Sequence, residues 1–435
     1  MLDVTSKVNA EVSEVIIPSY YYDKLDTKQL SEFLKEIGLS ASGSKETKVY
    51  KLFSFLKKQK DLSSDFKDSL LKFFLEIIKY TNNRITIEVP IKVSKRSPIL
   101  KKQTLLSRFD TDEKNFEINH ILQTVLSPDD NPIVNNHDGK FNTIYRHASY
   151  NQNNIDMIEL AYVRNVEYSI KSGNSIRTLE KYEFVWCEID VYKECLRIFI
   201  SNNRKTADGK QLDGSIHQMK EYFTNKLSRE FDFKVDFVYD GQTLFKIYRE
   251  LTSKAEIKYS NRVSPYNAEI EKFVDDMKKK LKINNYDDID LTNRIIKLFE
   301  RNLIQKDFEK LRKDPLAEGR VVSLDFQDGT GSSVKATTGG MKNTEDGLVL
   351  LDMQDSDVYF DTKETIHSLK VLGIIVVEWN AIRDLPLLDE RYQKPKVTYI
   401  AYKDYYVCSV QRVNLNKEVS DYVLSKFDRY RDKSL

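Results

Sequence analysis

Residues 84–93 carry the sequence Arg84-Ile-Thr-Ile-Glu-Val-Pro-Ile-Lys-Val93, and this stretch decides the fold class. Its apolar residues recur at every second position from Ile85 to Val93. This alternation predicts a half-buried β-strand, because successive side chains of a strand point to opposite faces. Pro90 lacks a backbone N–H, so we expect the strand to lie at the edge of a sheet.

The sequence before this strand predicts three helices. Apolar residues there recur with the i, i+3, i+4, i+7 spacing of a helix that buries one face. The three stripes are Leu30, Phe33, Leu34 and Ile37; then Val49, Leu52, Phe53 and Leu56; then Phe66, Leu70, Phe73, Phe74 and Ile77. Because the period changes from helical to strand-like at residue 84, we place a domain boundary near residue 82.

Downstream of residue 93, the same patterns predict mixed α+β structure with largely antiparallel sheets. Candidate strands are Met157–Tyr168, Tyr182–Val191, Cys195–Ile200, Lys234–Tyr239, Val321–Phe326, Leu348–Met353, Gly373–Trp379 and Val397–Tyr402. Candidate helices are Ile216–Phe231, two pieces within 264–313, and Glu418–Arg431. We therefore predict an α+β fold with three domains, a small helical one at 1–82 and mixed ones at 83–262 and 263–435. This count agrees with about 150 residues per domain.

Composition excludes several classes of protein. The 69 Lys and Arg residues nearly cancel the 67 Asp and Glu residues, which argues against a uniformly basic nucleic-acid coat. Three cysteines cannot form a disulfide framework, so we expect a reducing compartment: cytoplasmic, with nucleoid-associated or nuclear placement. The longest apolar run, Val371–Val377, is far shorter than the ~20 residues of a membrane helix, so no membrane partner is expected.

The most specific motif lies in residues 25–58, called here the N-terminal hairpin. Its elements are a first helix with Leu30 and Leu34, then Gly38-Leu39, then Ser42-Gly43-Ser44-Lys45, then a second helix with Lys51-Leu52. This order resembles the SAP motif, a helix–extended turn–helix module that binds DNA. The resemblance implies a duplex-DNA tether, and it covers this segment only. Thr47 and Lys48 depart from the family pattern, which often has a leucine there.

The residues themselves support the same function. Gly38 and Gly43 permit the unusual backbone of such a turn. Ser44 begins a helix whose N-terminal N–H groups form an anion site. Residues 45–60 hold six lysines and one glutamate, a net charge of +5, and residues 92–108 have a net charge of +6. We expect DNA to be contacted by Ser42, Gly43, Ser44, Lys45, Lys48, Lys51, Lys95, Arg96, Lys101 and Lys102.

Two other interpretations of the hairpin remain open. It could be a helical hairpin with a solvated basic face, or a module that docks on another protein. Tyr20, Tyr21 and Tyr22 precede the motif; we expect them to pack against protein rather than stack on bases.

The enzymatic alternative is a metal-dependent nuclease. Such enzymes hold Mg²⁺ with carboxylates and orient water with a lysine. One matching pattern is present, Asp240 followed at a distance by Glu256-Ile-Lys258, and it requires a strand at Glu256. Mg²⁺ is expected only in this alternative, and no other metal or cofactor is expected. The pair Glu188 and Asp190 shares one face of a predicted strand, where we expect cross-strand ion pairs.

Residues 345–390 contain eleven acidic and three basic residues, a net charge of −8. This segment could be a solvated acidic face, a docking surface for a basic protein partner, or a divalent-ion site around Asp352–Asp361, although the absence of EF-hand spacing argues against calcium. The leading hypothesis is therefore a non-catalytic DNA-binding accessory or recruitment protein, with a protein-interaction scaffold that binds no nucleic acid as the further alternative.

Overall fold

The computed structural model describes residues 22, 25–58, 63–81, 83, 85–126, 139–172, 175–201, 215–236, 241–284, 290–312, 318–327, 333–337, 341–344, 347–350, 362–363, 365–367, 369–380, 394–411 and 415–432. Within these ranges helices accompany antiparallel strand pairs, which confirms the α+β fold class.

The chain forms two compact units. The first comprises Met1–Val238 with Asp404–Val407 and Asn414–Ser420; the second comprises Tyr239–Lys403 with Cys408–Val413 and Asp421–Leu435. The predicted boundary near residue 82 falls inside the first unit, and the one near residue 263 falls inside the second.

The helices are α1 Thr27–Glu36, α2 Lys45–Lys58, α3 Ser64–Tyr80, α4 Lys102–Arg108, α5 Glu113–Phe116, α6 Ile121–Leu126, α7 Ile216–Phe231, α8 Gln242–Val263, α9 Asn267–Leu281, α10 Leu291–Arg312 and α11 Lys417–Arg431. Short 3₁₀ turns cover Pro98–Leu100 and Ser264–Tyr266. In the described part of the chain, no helix combines the length and the apolar character needed to cross a membrane.

The strands are β1 Ile85–Val93, β2 Ile118–Asn119, β3 Asn142–Asn151, β4 Asn154–Ser172, β5 Ser175–Asp190, β6 Cys195–Ile200, β7 Phe233–Val235, β8 Gly319–Gln327, β9 Ser333–Thr337, β10 Met341–Thr344, β11 Gly347–Leu350, β12 Ile374–Trp379, β13 Lys396–Ala401 and β14 Tyr406–Gln411. Strands β5 and β6 lie at two of the predicted strand positions and form an antiparallel pair, with Asp190 opposite Cys195.

Strand β1 lies inside the sheet of the first unit, so the expected edge position of Pro90 is wrong. The strand order is β2-β3-β4-β5-β6-β1, and β7 also pairs with β1. Along β1 the N–H of Ile91 donates to Glu194 on one side, while the carbonyl of Pro90 accepts from the N–H of Asp236 on the other. Pro90 is tolerated because it lies where the pairing with β6 ends and the pairing with β7 begins, at Ile91.

Helix α3 connects the N-terminal hairpin to this sheet. On one side the rings of Phe33 and Phe73 stack with centroids 4.1 Å apart. On the other side Tyr80 contacts Phe199 of β6 edge to face, with centroids 6.4 Å apart. Lys79 forms an ion pair with Glu188 of β5. The hairpin is therefore packed through α3 onto the sheet of the first unit, to which it belongs.

The second unit is built on strands in the order β14-β13-β12-β8-β9. Helix α11 packs aromatic rings on this sheet: Trp379 stacks on Tyr430 and Tyr399 stacks on Phe427. The indole N–H of Trp379 donates to the Tyr399 hydroxyl at 3.0 Å. Strand β14 had no counterpart among the predicted strands.

Helix α8 replaces the short strand predicted at Glu256-Ile-Lys258, and that prediction is wrong. The buried face of α8 includes Phe245, Tyr248, Thr252, Glu256 and Tyr259, at spacings of three and four residues. Two of these buried residues, Thr252 and Glu256, are polar. Apolar residues alone therefore do not mark the whole of this buried face, and it is an apolar face of this kind that predicts a helix.

Candidate nucleic-acid interface

The N-terminal hairpin has the predicted order of a helix, an extended turn and a second helix. Asp26 caps α1 by accepting from the N–H groups of Lys28 and Gln29 at 2.9 and 3.1 Å. Helix α1 is capped at Ile37 and followed by Gly38, whose φ of +75° lies in the left-handed region that glycine favours. The unusual backbone conformation expected at Gly38 is therefore confirmed.

Gly43 is required by the start of α2. Its φ is +104°, and an added Cβ would lie 2.9 Å from the Cβ of Thr47, closer than real Cβ contacts allow. The next residue, Ser44, accepts from the N–H of Thr47 at 3.3 Å and so caps the helix. Ser42, Gly43 and Ser44 are all exposed. The turn therefore presents the beginning of α2 to solvent.

The side-chain carboxylate of Glu46, in the first turn of α2, lies near the N-terminus of this helix. Glu46 accepts a hydrogen bond from the hydroxyl of Tyr22 at 2.7 Å. Hydrogen bonds from Ser44, Tyr22 and the backbone N–H of Glu46 lower the pKa of its carboxyl to about 2. The anion site expected from Ser44 thus already faces a negative charge, which the count of lysines did not reveal.

The lysines of α2 differ in what they contact. Lys51 donates from Nζ to the carbonyl oxygens of Ser42 at 2.9 Å and Ser40 at 3.2 Å, so its ammonium is engaged with the turn. Lys45 lies over the ring of Tyr22, with Nζ 4.7 Å from the centroid. Lys48 is partly exposed and forms no ion pair within the described ranges. Lys45 and Lys48 remain the best placed of the predicted contacts.

The basic residues of the second stretch, 92–108, likewise differ in what they contact. Lys95, Arg96 and Lys101 are exposed and have no ion-pair partner among the residues that the structure describes. Lys102 is paired with Glu113 at 2.5 Å. Outside the predicted set, Lys92 is paired with Asp236 at 2.9 Å, and Arg108 donates to the carbonyl of Arg229 at 3.0 Å.

The residues of the predicted nuclease centre do not converge where they are described. Asp240 lies outside the described residues. Glu256 is buried on α8 and pairs with Lys363 from another segment of the second unit, whereas Lys258 is exposed. Two residues apart on a helix, Glu256 and Lys258 point in nearly opposite directions. The described part of the chain contains no cluster of three or more His, Cys, Asp or Glu side chains able to hold a metal.

Glu188 and Asp190 of β5 form ion pairs, but not the cross-strand pairs expected from the sequence: their partners lie on α3 and in the β5–β6 turn. Glu188 pairs with Lys79, a long-range partner that the sequence did not indicate. Asp190 pairs with Lys193 in the hairpin turn, with Nζ 4.0 Å from the carboxylate. Of the acidic segment 345–390, the structure describes residues 347–350, 362–363, 365–367 and 369–380. Of its acids only Glu378 is described, and it pairs with Arg320 at 2.9 Å.

Comparison of the chain with protein-family models, with curated protein sequences and with solved structures gave no match.

Proposed function

We propose that the protein is a DNA-binding accessory or recruitment protein that holds duplex DNA through its N-terminal hairpin. The observation that carries the proposal is the exposed turn Ser42-Gly43-Ser44, whose glycine conformation presents the N-terminus of α2, where Lys45 is the first helical residue and Lys48 follows three residues later. Backbone N–H groups at a helix N-terminus, together with lysines, are a recurrent binding arrangement for phosphate.

This arrangement favours the DNA backbone over the bases. Lysine ammonium groups neutralise phosphates without reading base edges, so binding is weakly sequence-selective and sensitive to salt. The exposed Lys95, Arg96 and Lys101 belong to the same unit and add to its positive charge.

The decisive experiment compares duplex binding by the full chain and by the variant Lys45→Gln/Lys48→Gln. Fluorescence anisotropy with a labelled duplex is measured over a range of salt concentrations. For wild type we expect affinity to fall steeply with salt. Each lost phosphate contact reduces the slope of log K against log salt by about 0.9, so the variant should lose up to about 1.8.

The matched control is Lys279→Gln/Lys280→Gln, which removes the same charge from exposed positions of α9 in the second unit. This control should bind DNA like wild type. Equal affinity for the hairpin variant and the control would overturn the proposal. No binding by wild type at low salt would favour the interpretation of the hairpin as a protein-docking module.

The same proposal assigns the acidic segment 345–390 to a basic protein partner. Its support is the net charge of −8, opposite in sign to both N-terminal basic stretches. One end of the chain would then bind DNA and the other would recruit protein.

A further inference from the structure

The second unit contains a cleft of about 860 Å³ between α8 and α10, also lined by Lys363, Thr365 and His367. Ser253, Glu256, Ile257 and Ser260 line it from α8, at the spacing of one helical face. A volume of this size is typical of pockets for small organic ligands.

The lining of the cleft is unusually rich in charge. Four cationic side chains, Arg294, Lys297, Arg301 and Lys363, stand against Asp290, Glu256 and Glu300. Two of the acids are already engaged: Glu256 with Lys363, and Glu300 with Lys297 at 2.7 Å. Because two of the three carboxylates are paired with lysines, and the described residues hold no cluster of three metal-binding side chains, the cleft does not suit a divalent cation.

The cationic residues share one face of α10. Arg294, Lys297 and Arg301 follow the spacing i, i+3, i+7, so they lie above one another along the cleft. Leu298 and Ile257 lie on the same walls, with 57% and 55% of their surfaces exposed. A charged stripe thus runs beside an exposed apolar patch.

His367 is one of the residues that line the cleft, and several charged side chains of the second unit act on its ring. Burial lowers its pKa, and Lys363, Lys297 and Arg249 lower it further, while Glu256 acts in the opposite direction. The imidazole is therefore neutral near pH 7. Its Nε2 is buried and has no hydrogen-bond partner within the described part of the chain. Burial is the largest of these causes, and the three cationic side chains act on the ring in the same direction.

From these observations we propose that the cleft binds a small organic phosphate, with its phosphates on the Arg294–Lys297–Arg301 face and its apolar part against Leu298 and Ile257. Guanidinium and ammonium groups bind phosphate oxygens strongly where water is partly excluded. This site lies in the second unit and does not depend on DNA binding by the hairpin.

The test uses the full chain and three probes: adenosine triphosphate, inorganic pyrophosphate and adenosine, each titrated calorimetrically. We expect the triphosphate to bind at least tenfold more tightly than either fragment, because only it engages both the charged face and the apolar patch. Equal affinity for all three, or no detectable binding of the triphosphate, would overturn the proposal.

The diagnostic variant is Leu298→Glu, which places a negative charge in the cleft at an exposed position and so leaves folding intact. Its matched control is Leu281→Glu on α9, at a position 62% exposed and outside the cleft lining. Leu298→Glu should lose triphosphate affinity at least tenfold, whereas Leu281→Glu should keep it. Arg301→Gln provides a second loss-of-affinity variant.

DNA binding distinguishes a failure of this site from a failure of the hairpin. Leu298→Glu should bind duplex DNA like wild type, and Lys45→Gln/Lys48→Gln should bind the triphosphate like wild type. Displacement of the triphosphate by duplex DNA would mean that the cleft belongs to a DNA-binding surface, and would overturn its assignment as a small-molecule site.

Discussion

The Nζ atom of Lys51 lies 2.9 Å from the carbonyl oxygen of Ser42, across the turn that joins α1 to α2. The same ammonium group donates to the carbonyl of Ser40 at 3.2 Å. An ammonium has three protons to donate, so these contacts use most of its capacity. One of the lysines expected to contact phosphate therefore stabilises the shape of the turn.

Lys51→Met should destabilise the first unit and weaken DNA binding together. Loss of these hydrogen bonds should cost about 1 kcal/mol of unfolding free energy, measured by denaturant titration. Lys48→Met is the control, because Lys48 makes no ion pair among the described residues. It should weaken DNA binding while changing stability by less than about 0.5 kcal/mol. Equal stability of the two variants would contradict the role given to Lys51.

Glu46→Gln should strengthen DNA binding. Because the pKa of Glu46 is about 2, its carboxylate is ionised at neutral pH and repels a phosphate that approaches the N-terminus of α2. Removing one charge at this position should raise duplex affinity about two- to fivefold, the factor expected for a charge near a helix terminus. Glu36→Gln, an exposed residue at the other end of the turn, removes the same charge as a control. A decrease in affinity on Glu46→Gln would exclude the α2 N-terminus as the phosphate site.

Lys79→Met should strongly destabilise the first unit. Burial lowers the pKa of Lys79, but Glu188, Tyr80 and Glu159 together raise it by more, so the lysine stays charged inside the protein. Removing this cation leaves the buried Glu188 without its ion-pair partner and should cost about 3 kcal/mol in a denaturation experiment. The double variant Lys79→Met/Glu188→Met should recover much of that loss, because two apolar side chains replace the buried pair. A double variant less stable than the single one would show that the ion pair is not the cause.

The stability of the first unit should fall as the pH rises above 6.5, in part through His147. A hydrogen bond with Glu117, at 2.8 Å, is the largest cause that raises the pKa of His147 above its ordinary value of 6.5. A raised folded-state pKa gives stability that is complete below pH 6.5 and is lost as the pH rises through the folded value.

Because this pair is partly exposed, the expected loss is only about 0.2–1 kcal/mol. It is measured as the difference in unfolding free energy between wild type and His147→Gln across this pH range. A pH-independent difference would contradict the assignment.

Several elements could be predicted because their signals are local. Helix α7 has the predicted bounds, since Ser215 and Gln218 form a capping box at its start and Asp232 ends it with a left-handed backbone. The turn glycines Gly38 and Gly43 have the positive φ that their positions imply. Helix α8 was missed because Thr252 and Glu256 are polar at buried positions, and those positions are explained only by neighbours distant in sequence.

The sequence by itself determined the α+β class, the helical hairpin, the conformations of its glycines and the charge of each segment. Only the tertiary structure decided which charges are engaged inside the protein. Lys79 meets Glu188, Glu46 meets Tyr22, and Glu256 meets Lys363, which is 107 residues away along the chain. Local backbone preferences act over a few residues and leave a pattern in the sequence. A long-range ion pair depends on how helices and strands pack, so counting charges along the chain cannot separate a lysine that binds DNA from one that stabilises the fold.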